Sequence, residues 1–222
     1  MRAAPPALLI ESPTERTTAA TDAVMAALAL GYARSLLGGR GWRARVWAGA
    51  FGGLGLAAAL GAAAHGLRLG ERAHAALWRA IYLTLGLTVA LFAAAATADG
   101  WGERAGRKAL PITLLAALGF YGASQRLARG FIVFVVYEAA ALLYALGVYA
   151  RLARGGRLAG AELTAAGILI SLLAAAVQSS SLRLTLLGLP FDNNGLFHLV
   201  QIAGLPVLAA GVRAALDHQP EH

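Results

Sequence analysis

Apolar residues run along this chain in long stretches, separated by short polar and glycine-rich segments such as residues 99–102 and 155–157. A helix needs roughly 20 mainly apolar residues to cross a membrane, and seven stretches of the chain reach that length. We predict helices over residues 13–36, 42–66, 73–97, 104–126, 130–151, 160–183 and 194–216. The pattern therefore predicts an all-α fold, a seven-transmembrane-helix bundle that forms a single integral membrane domain over residues 1–222.

The start of the first helix carries a capping signal. Ser12 can cap the helix, Pro13 suits its first position, and Glu15 completes a capping box. The apolar run before it, residues 7–10, is too short for the core of a secretory signal peptide, and polar residues follow where a cleavage region would stand. We therefore expect the first long apolar segment to be a helix that stays in the membrane.

Composition excludes several classes of protein. Hydrophobic residues make up 59% of the chain and charged residues 14%, whereas a soluble domain carries about 25% charged residues. The chain has no cysteine, which excludes disulfides, thiolate metal sites and cysteine nucleophiles. The net charge of +8 comes from basic residues at the ends of apolar stretches, where they meet lipid headgroups. We therefore expect membrane lipid, and not nucleic acid, as the partner of this charge.

The distribution of Lys and Arg predicts an orientation. The first, third and fifth loops with the C-terminal segment hold eleven of them, and the opposite side holds eight. Cytoplasmic loops of membrane proteins carry an excess of Lys and Arg. The bias favours an N-terminus outside and a C-terminus inside, and we expect the membrane to be a bacterial inner membrane.

Polar groups at membrane depth cost free energy unless they are paired or hydrated, so they point to a functional site. Because the helices alternate in direction, most of the polar residues named below are expected near the same membrane surface, which predicts a shared cavity. We expect Glu138 to face the interior of the bundle, because a mid-membrane carboxyl needs a partner or water. The predicted pocket residues are Glu11, Thr18, Trp78, Tyr82, Glu138, Gln178, Asn194 and Gln201.

Two histidines stand near this surface. His65 ends the second helix, and His198 follows Asn194 by one turn in the seventh. We expect the two imidazoles to approach each other and to line the pocket with Asp22. Together with carboxylates they could hold Zn²⁺, with a third ligand from Asp22, Asp192 or Asn194.

Two readings of the carboxylates remain open. In the first, Asp22 or Asp192 is the general base of a metal-assisted hydrolase. In the second, Asp192 caps the seventh helix, and Asp22 belongs to a hydrogen-bonded network with the nearby threonines.

His65 four residues after Gly61, and His198 four residues after Asn194, resemble the pattern of the CREST superfamily. These seven-helix membrane hydrolases include the alkaline ceramidases and the adiponectin-type receptors. The resemblance implies a zinc ion held by three His, with a Ser and an Asp assisting hydrolysis of a lipid amide. This chain has Gly61 in place of the Ser, Asn194 in place of one His, and no Asp in the third helix before Asp99.

The chain also resembles an uncharacterised bacterial family of small membrane proteins, which share an acidic, threonine-containing first helix and an Asn/Asp-rich start of the seventh. Two functions follow from these patterns. The first is binding of a lipid or small amphiphile in the pocket, which the missing Ser, Asp and His favour. The alternative is a zinc-dependent hydrolase of lipid amides or esters. The zinc content of the purified protein distinguishes them.

Overall fold

A computed structural model describes residues 8–39, 41–127 and 130–218 of the chain. This part contains seven long helices and one short antiparallel hairpin. The elements are α1 Pro13–Leu37, α2 Trp42–Gly66, α3 Glu71–Trp101, α4 Glu103–Arg126, α5 Gly130–Arg154, α6 Ala161–Gln178, β1 Leu184–Leu186, β2 Leu189–Phe191 and α7 Asn193–Asp217. The predicted all-α fold is confirmed.

Two helix ends differ from the prediction by four or more residues. Helix α3 continues through Asp99 and ends at Trp101, where Gly102 with φ +91° breaks it. Helix α6 ends at Gln178, five residues early, because serine hydroxyls compete for its backbone groups. The Ser179 hydroxyl donates to Ala175 O at 2.9 Å, and the Ser180 hydroxyl accepts from Leu182 N at 3.2 Å.

The hairpin that follows α6 turns at two consecutive residues in the left-handed region. Leu187 has φ +52° and Gly188 has φ +80°, and Leu186 pairs with Leu189 across the turn. Positive φ at both central positions is the requirement of a tight hairpin turn. Leucine rarely adopts this conformation, so the sequence pattern gave no sign of the hairpin.

Five of the described helices, α2, α3, α5, α6 and α7, are long and apolar enough to cross a membrane. Helix α1 is less apolar because its polar residues Thr17, Thr18, Thr21 and Asp22 form a face that is buried inside the bundle. Helix α4 carries charged residues at both ends. Three arginines counted in the charge bias, Arg2, Arg40 and Arg129, lie outside the described residues.

Six helices form a closed ring in the order α1, α2, α3, α5, α6, α7, and α4 packs outside it against α3 and α5. We call the end of the ring where α1, α3, α5 and α7 begin the site face, and the other end the opposite face. At the site face, Ile10 N donates to Gly66 O at 3.0 Å, and the Thr17 hydroxyl donates to Pro190 O at 2.7 Å. These bonds hold the N-terminal segment and the hairpin against α1 and α2.

Helices α6 and α7 are in very close contact along a line of glycines. A Cβ on Gly167 would lie 2.7 Å from the Cβ of Leu208, and one on Gly204 would lie 2.6 Å from Ile170 Cγ2. Gly211 faces Thr164 in the same way. Small residues at these positions let the two backbones approach, as in other membrane helix pairs.

Candidate functional site

The ring encloses a cavity of about 140 Å³ near the site face, which we call the site cavity. Helices α1, α2, α3, α5, α6 and α7 all contribute to its wall. Its polar and aromatic wall residues include nine of those singled out from the sequence, namely Asp22, His65, Trp78, Tyr82, Glu138, Gln178, Asn194, His198 and Gln201. The alternation of helix direction therefore brings these side chains together, and Glu138 faces the interior of the bundle.

Asp22 and His198 form a buried pair on this wall. The Nε2 atom of His198 lies 3.3 Å from Asp22 Oδ1, and the two residues are 6% and 3% exposed. On the other side of the imidazole, His198 Nδ1 lies 3.1 Å from the Thr21 hydroxyl. Asp22 also abuts α2, where a Cβ on Gly61 would lie 2.6 Å from its Oδ2. The missing side chain at Gly61 makes room for the carboxyl group.

The hydrogen bonds of Thr21 orient the imidazole of His198 in this pair. The Thr21 hydroxyl has one hydrogen, which it donates to Thr17 O or Thr18 O at 3.0 and 2.9 Å. It therefore accepts from Nδ1–H of His198. Nε2 of the same imidazole is left facing Asp22 Oδ1 at 3.3 Å.

A second acid–imidazole pair lies nearer the surface. His65 Nδ1 is 2.7 Å from Glu15 Oε2, and the two side chains are 13% and 35% exposed. The ring of Trp78 stands edge-on to the imidazole, with ring centroids 5.6 Å apart. The Glu15–His65 pair therefore connects the wall of the site cavity to the site face.

Three side-chain oxygen atoms of the site are buried without a hydrogen-bond partner within the described ranges. They are Glu138 Oε2, Gln178 Oε1 and Gln201 Oε1, and all three residues line the site cavity. A buried acceptor without a partner costs about 1–3 kcal/mol. Three such atoms around one cavity leave hydrogen-bond acceptors unused on its wall.

Three of the predicted site residues lie outside the cavity wall. Glu11 pairs with Arg68 at the surface, where its side chain is 78% exposed. The Thr18 hydroxyl donates to Asp192 Oδ1 at 3.4 Å, and Asp192 accepts from the backbone N of Asn194 and Gly195 at 3.0 Å each. Asp192 is thus the N-cap of α7.

Sequence reasoning missed Thr21 as the partner of His198 and Gly61 as the neighbour of Asp22. Thr21 follows Thr17 by one helical turn, so the threonine-rich face of the first helix was the available signal. Gly61 had none, because a glycine in an alanine-rich helix is unremarkable in sequence.

The donor set does not fit the zinc site that the resemblance implies. Both ring nitrogens of His198 already contact Asp22 and Thr21, and His65 Nδ1 contacts Glu15. Asn194 Oδ1 lies 3.5 Å from Gln178 Nε2. Over residues 8–39, 41–127 and 130–218, no three His, Asp or Glu side chains are grouped so that they could hold a metal ion.

A second cavity of about 80 Å³, the central cavity, lies deeper in the ring. It shares Leu54, Glu138 and Gln201 with the site cavity. Its remaining wall is mainly apolar, with the hydroxyls of Thr88 and Ser171 as exceptions. Glu138 therefore lies on the boundary between the two cavities.

Beyond the central cavity, Asp99 organises a buried cluster at the opposite face. Its Oδ1 accepts from Arg43 Nε at 2.7 Å and also from the Arg43 terminal nitrogen Nη2. Its Oδ2 accepts from Tyr149 OH at 2.6 Å and from Trp47 Nε1 at 3.2 Å. Asp99, which the sequence pattern assigned to a turn, instead joins α2, α3 and α5.

Comparisons with known proteins place the chain without assigning an activity. No match was found among the curated proteins, and none was found among the solved structures. Residues 17–217 match DUF6962, a family of unknown function. This match covers all seven helices nearly completely, and the chain therefore belongs to the DUF6962 family.

Proposed function

We propose that this protein resides in a bacterial inner membrane and that all seven helices cross the bilayer. Helix α1 has 25 residues and α4 has 24, lengths similar to those of their neighbours. The polar face of α1 is turned inward, and the charges of α4 stand at its two ends. Neither helix therefore has to expose its charges to the hydrocarbon region.

The proposed orientation has the opposite face in the cytoplasm, so that the N-terminus is outside and the C-terminus inside. Beside the excess of Lys and Arg, three arginines of this face stack on aromatic rings. Their guanidinium carbons lie 4.5 to 5.3 Å from the ring centroids. Aromatic and basic side chains at this level are typical of the membrane interface. The three pairs are Arg107 on Trp42, Arg151 on Trp101 and Arg213 on Tyr32.

The site cavity, we propose, binds a lipid or small amphiphile. The observation that carries this proposal is the set of unpaired buried oxygens of Glu138, Gln178 and Gln201. These oxygens accept hydrogen bonds, so the ligand should have a polar end that donates them, such as an amine, hydroxyl or amide. The wall also has an apolar part, which suits a hydrocarbon chain. It includes Met25, Leu54, Ile81, Leu85, Phe131, Phe134 and Phe197.

A pair of matched probes tests this proposal. Dodecylamine and dodecyltrimethylammonium have the same chain length and the same charge, but only the first donates hydrogen bonds from nitrogen. We expect dodecylamine to raise the thermal unfolding temperature of the protein in maltoside micelles, and the trimethyl compound to leave it unchanged. Equal shifts with both probes would show that the unpaired oxygens bind no donor.

The site of binding is tested with two glutamine variants. Gln201→Leu removes one of the unpaired oxygens, and we expect it to abolish most of the shift caused by dodecylamine. Gln125→Leu changes the same residue type at the exposed end of α4, away from the site cavity, and should retain the full shift. A full shift in Gln201→Leu would contradict binding in this cavity.

A further inference from the structure

Glu138 occupies a position that ligand binding alone does not explain. It lies eight residues after the start of α5, about 12 Å along the helix, and its carboxyl has an unpaired oxygen there. In the described part of the chain, no other ionisable residue lines both the site cavity and the central cavity. Ionisable groups at such depth commonly belong to ion pathways or proton relays.

A series of groups that exchange protons leads from the site face to Glu138. The Glu15–His65 pair is partly exposed, and in the buried Asp22–His198 pair Nε2 lies 3.3 Å from Oδ1. Both His65 and Asp22 line the site cavity together with Glu138. A volume of about 140 Å³ has room for several water molecules, each of which needs about 10–15 Å³ by this measure.

The charges around Glu138 are consistent with a proton as the species that moves. The titratable groups on the cavity walls are Asp22 on α1, His65 on α2, Tyr82 on α3 and His198 on α7. Neither cavity wall, as far as the structure describes it, includes a Lys or Arg. No fixed cation therefore stands on either cavity wall to neutralise an ionised Glu138.

We propose that the interior of the bundle conducts protons across the membrane, with Glu138 as the group that holds the proton between the two cavities. A proton from solvent binds the Glu15–His65 pair and passes through cavity water to the Asp22–His198 pair. That pair gains this proton and releases one, which forms the O–H bond of Glu138. Each group gains one proton and loses one, so no other reactant is needed.

The path continues through the central cavity, where Gln201 and the hydroxyls of Thr88 and Ser171 are the polar groups on the wall besides Glu138. At its far end the ring of Trp47 separates the central cavity from Asp99. Both oxygens of Asp99 are already occupied by hydrogen-bond donors. The Trp47–Asp99 contact therefore stands between the central cavity and the opposite face, and in this proposal it limits the flux.

Proton flux into liposomes tests the proposal with the full chain and no added amphiphile. A potassium gradient with valinomycin drives protons inward, and enclosed pyranine reports the internal pH. We expect liposomes with the protein to acidify faster than protein-free liposomes, and Glu138→Gln to lose this excess completely. Glu162→Gln, at an exposed position in the first turn of α6, should keep the wild-type rate.

Two results would overturn the proposal: a wild-type rate equal to that of protein-free liposomes, or an undiminished rate in Glu138→Gln. If Glu138→Gln does not insert as a folded protein, Asp22→Asn takes its place, with the same expected loss and the same contradicting result. The dodecylamine measurement is made in micelles without a gradient. Binding and conduction can therefore succeed or fail independently.

Discussion

Two clusters of buried polar side chains lie at the two ends of the same helix ring, and they differ in how completely they are paired. At the opposite face, Asp99 receives hydrogen bonds from three side chains, including an arginine. At the site face, Asp22 meets one imidazole nitrogen at 3.3 Å, and oxygens of three nearby residues have no partner. The first cluster is closed by its own residues, and the second surrounds a cavity.

The comparison shows that burial of a carboxylate does not by itself indicate a functional site. A carboxylate with every lone pair used and a cation beside it stabilises the fold as long as all partners are present. A carboxyl with free acceptors next to a cavity is available to another molecule. We therefore expect substitutions in the two clusters to have opposite effects on stability.

The largest effect is expected from Asp99→Asn. The change keeps the shape of the side chain but leaves the Arg43 guanidinium buried without its counter-ion, and losing one member of a buried ion pair costs about 3–5 kcal/mol. The measurement is the free energy of unfolding by sodium dodecyl sulfate in mixed micelles. Asp217→Asn, at the exposed end of α7, serves as the control and should change little. A loss of less than about 1 kcal/mol in the free energy of unfolding, which is what an exposed ion pair contributes, would show that the fold does not depend on the Asp99 cluster.

A smaller effect of opposite sign is expected from Gln201→Leu. Replacing a buried amide that has an unpaired oxygen removes a desolvation cost, so the free energy of unfolding should rise by about 1 kcal/mol. The same micelle titration measures it, with Gln125→Leu as the surface comparison, expected within about 0.5 kcal/mol of wild type. A decrease in stability for Gln201→Leu would mean that its amide is satisfied in the folded protein. The expected gain in stability with loss of dodecylamine binding is a trade-off typical of binding sites.

The smallest effect is expected from zinc. Because the ring nitrogens of His198 are both engaged by Asp22 and Thr21, we expect purified protein to contain no stoichiometric zinc by elemental analysis. Added Zn²⁺ should leave the unfolding temperature unchanged. One zinc per chain, lost in His198→Gln but retained in His74→Gln, would instead support the hydrolase alternative.

Much of the fold and of the site follows from patterns that act locally. Long apolar stretches with polar breaks locate the helices, since lipid forces backbone groups to bond within each segment. Strict alternation of direction then predicts that Asp22, His65 and His198 share one level. The same reasoning placed Glu138 in the interior, because a carboxyl at that depth is too costly against lipid.

The features that sequence did not predict depend on contacts between distant residues. Arg43 and Asp99 are 56 positions apart, so no local pattern shows that they pair. The glycines around Asp99 instead indicated a turn. Whether an oxygen such as Gln201 Oε1 finds a partner is decided by the side chains of neighbouring helices. No periodicity in the chain records that outcome.

The glycine seam between α6 and α7 has a mechanical consequence. Backbones in such close contact cannot slide or separate without opening voids or colliding, since packed interiors deform little. Gln178 at the end of α6 and Asn194 at the start of α7 therefore belong to one rigid unit. The hydrogen bond from Asn193 Nδ2 to Gln178 O at 2.6 Å joins the two helices further. Any widening of the site cavity must come from the wall formed by α1, α2, α3 and α5. The α6–α7 pair is therefore the rigid part of the cavity wall.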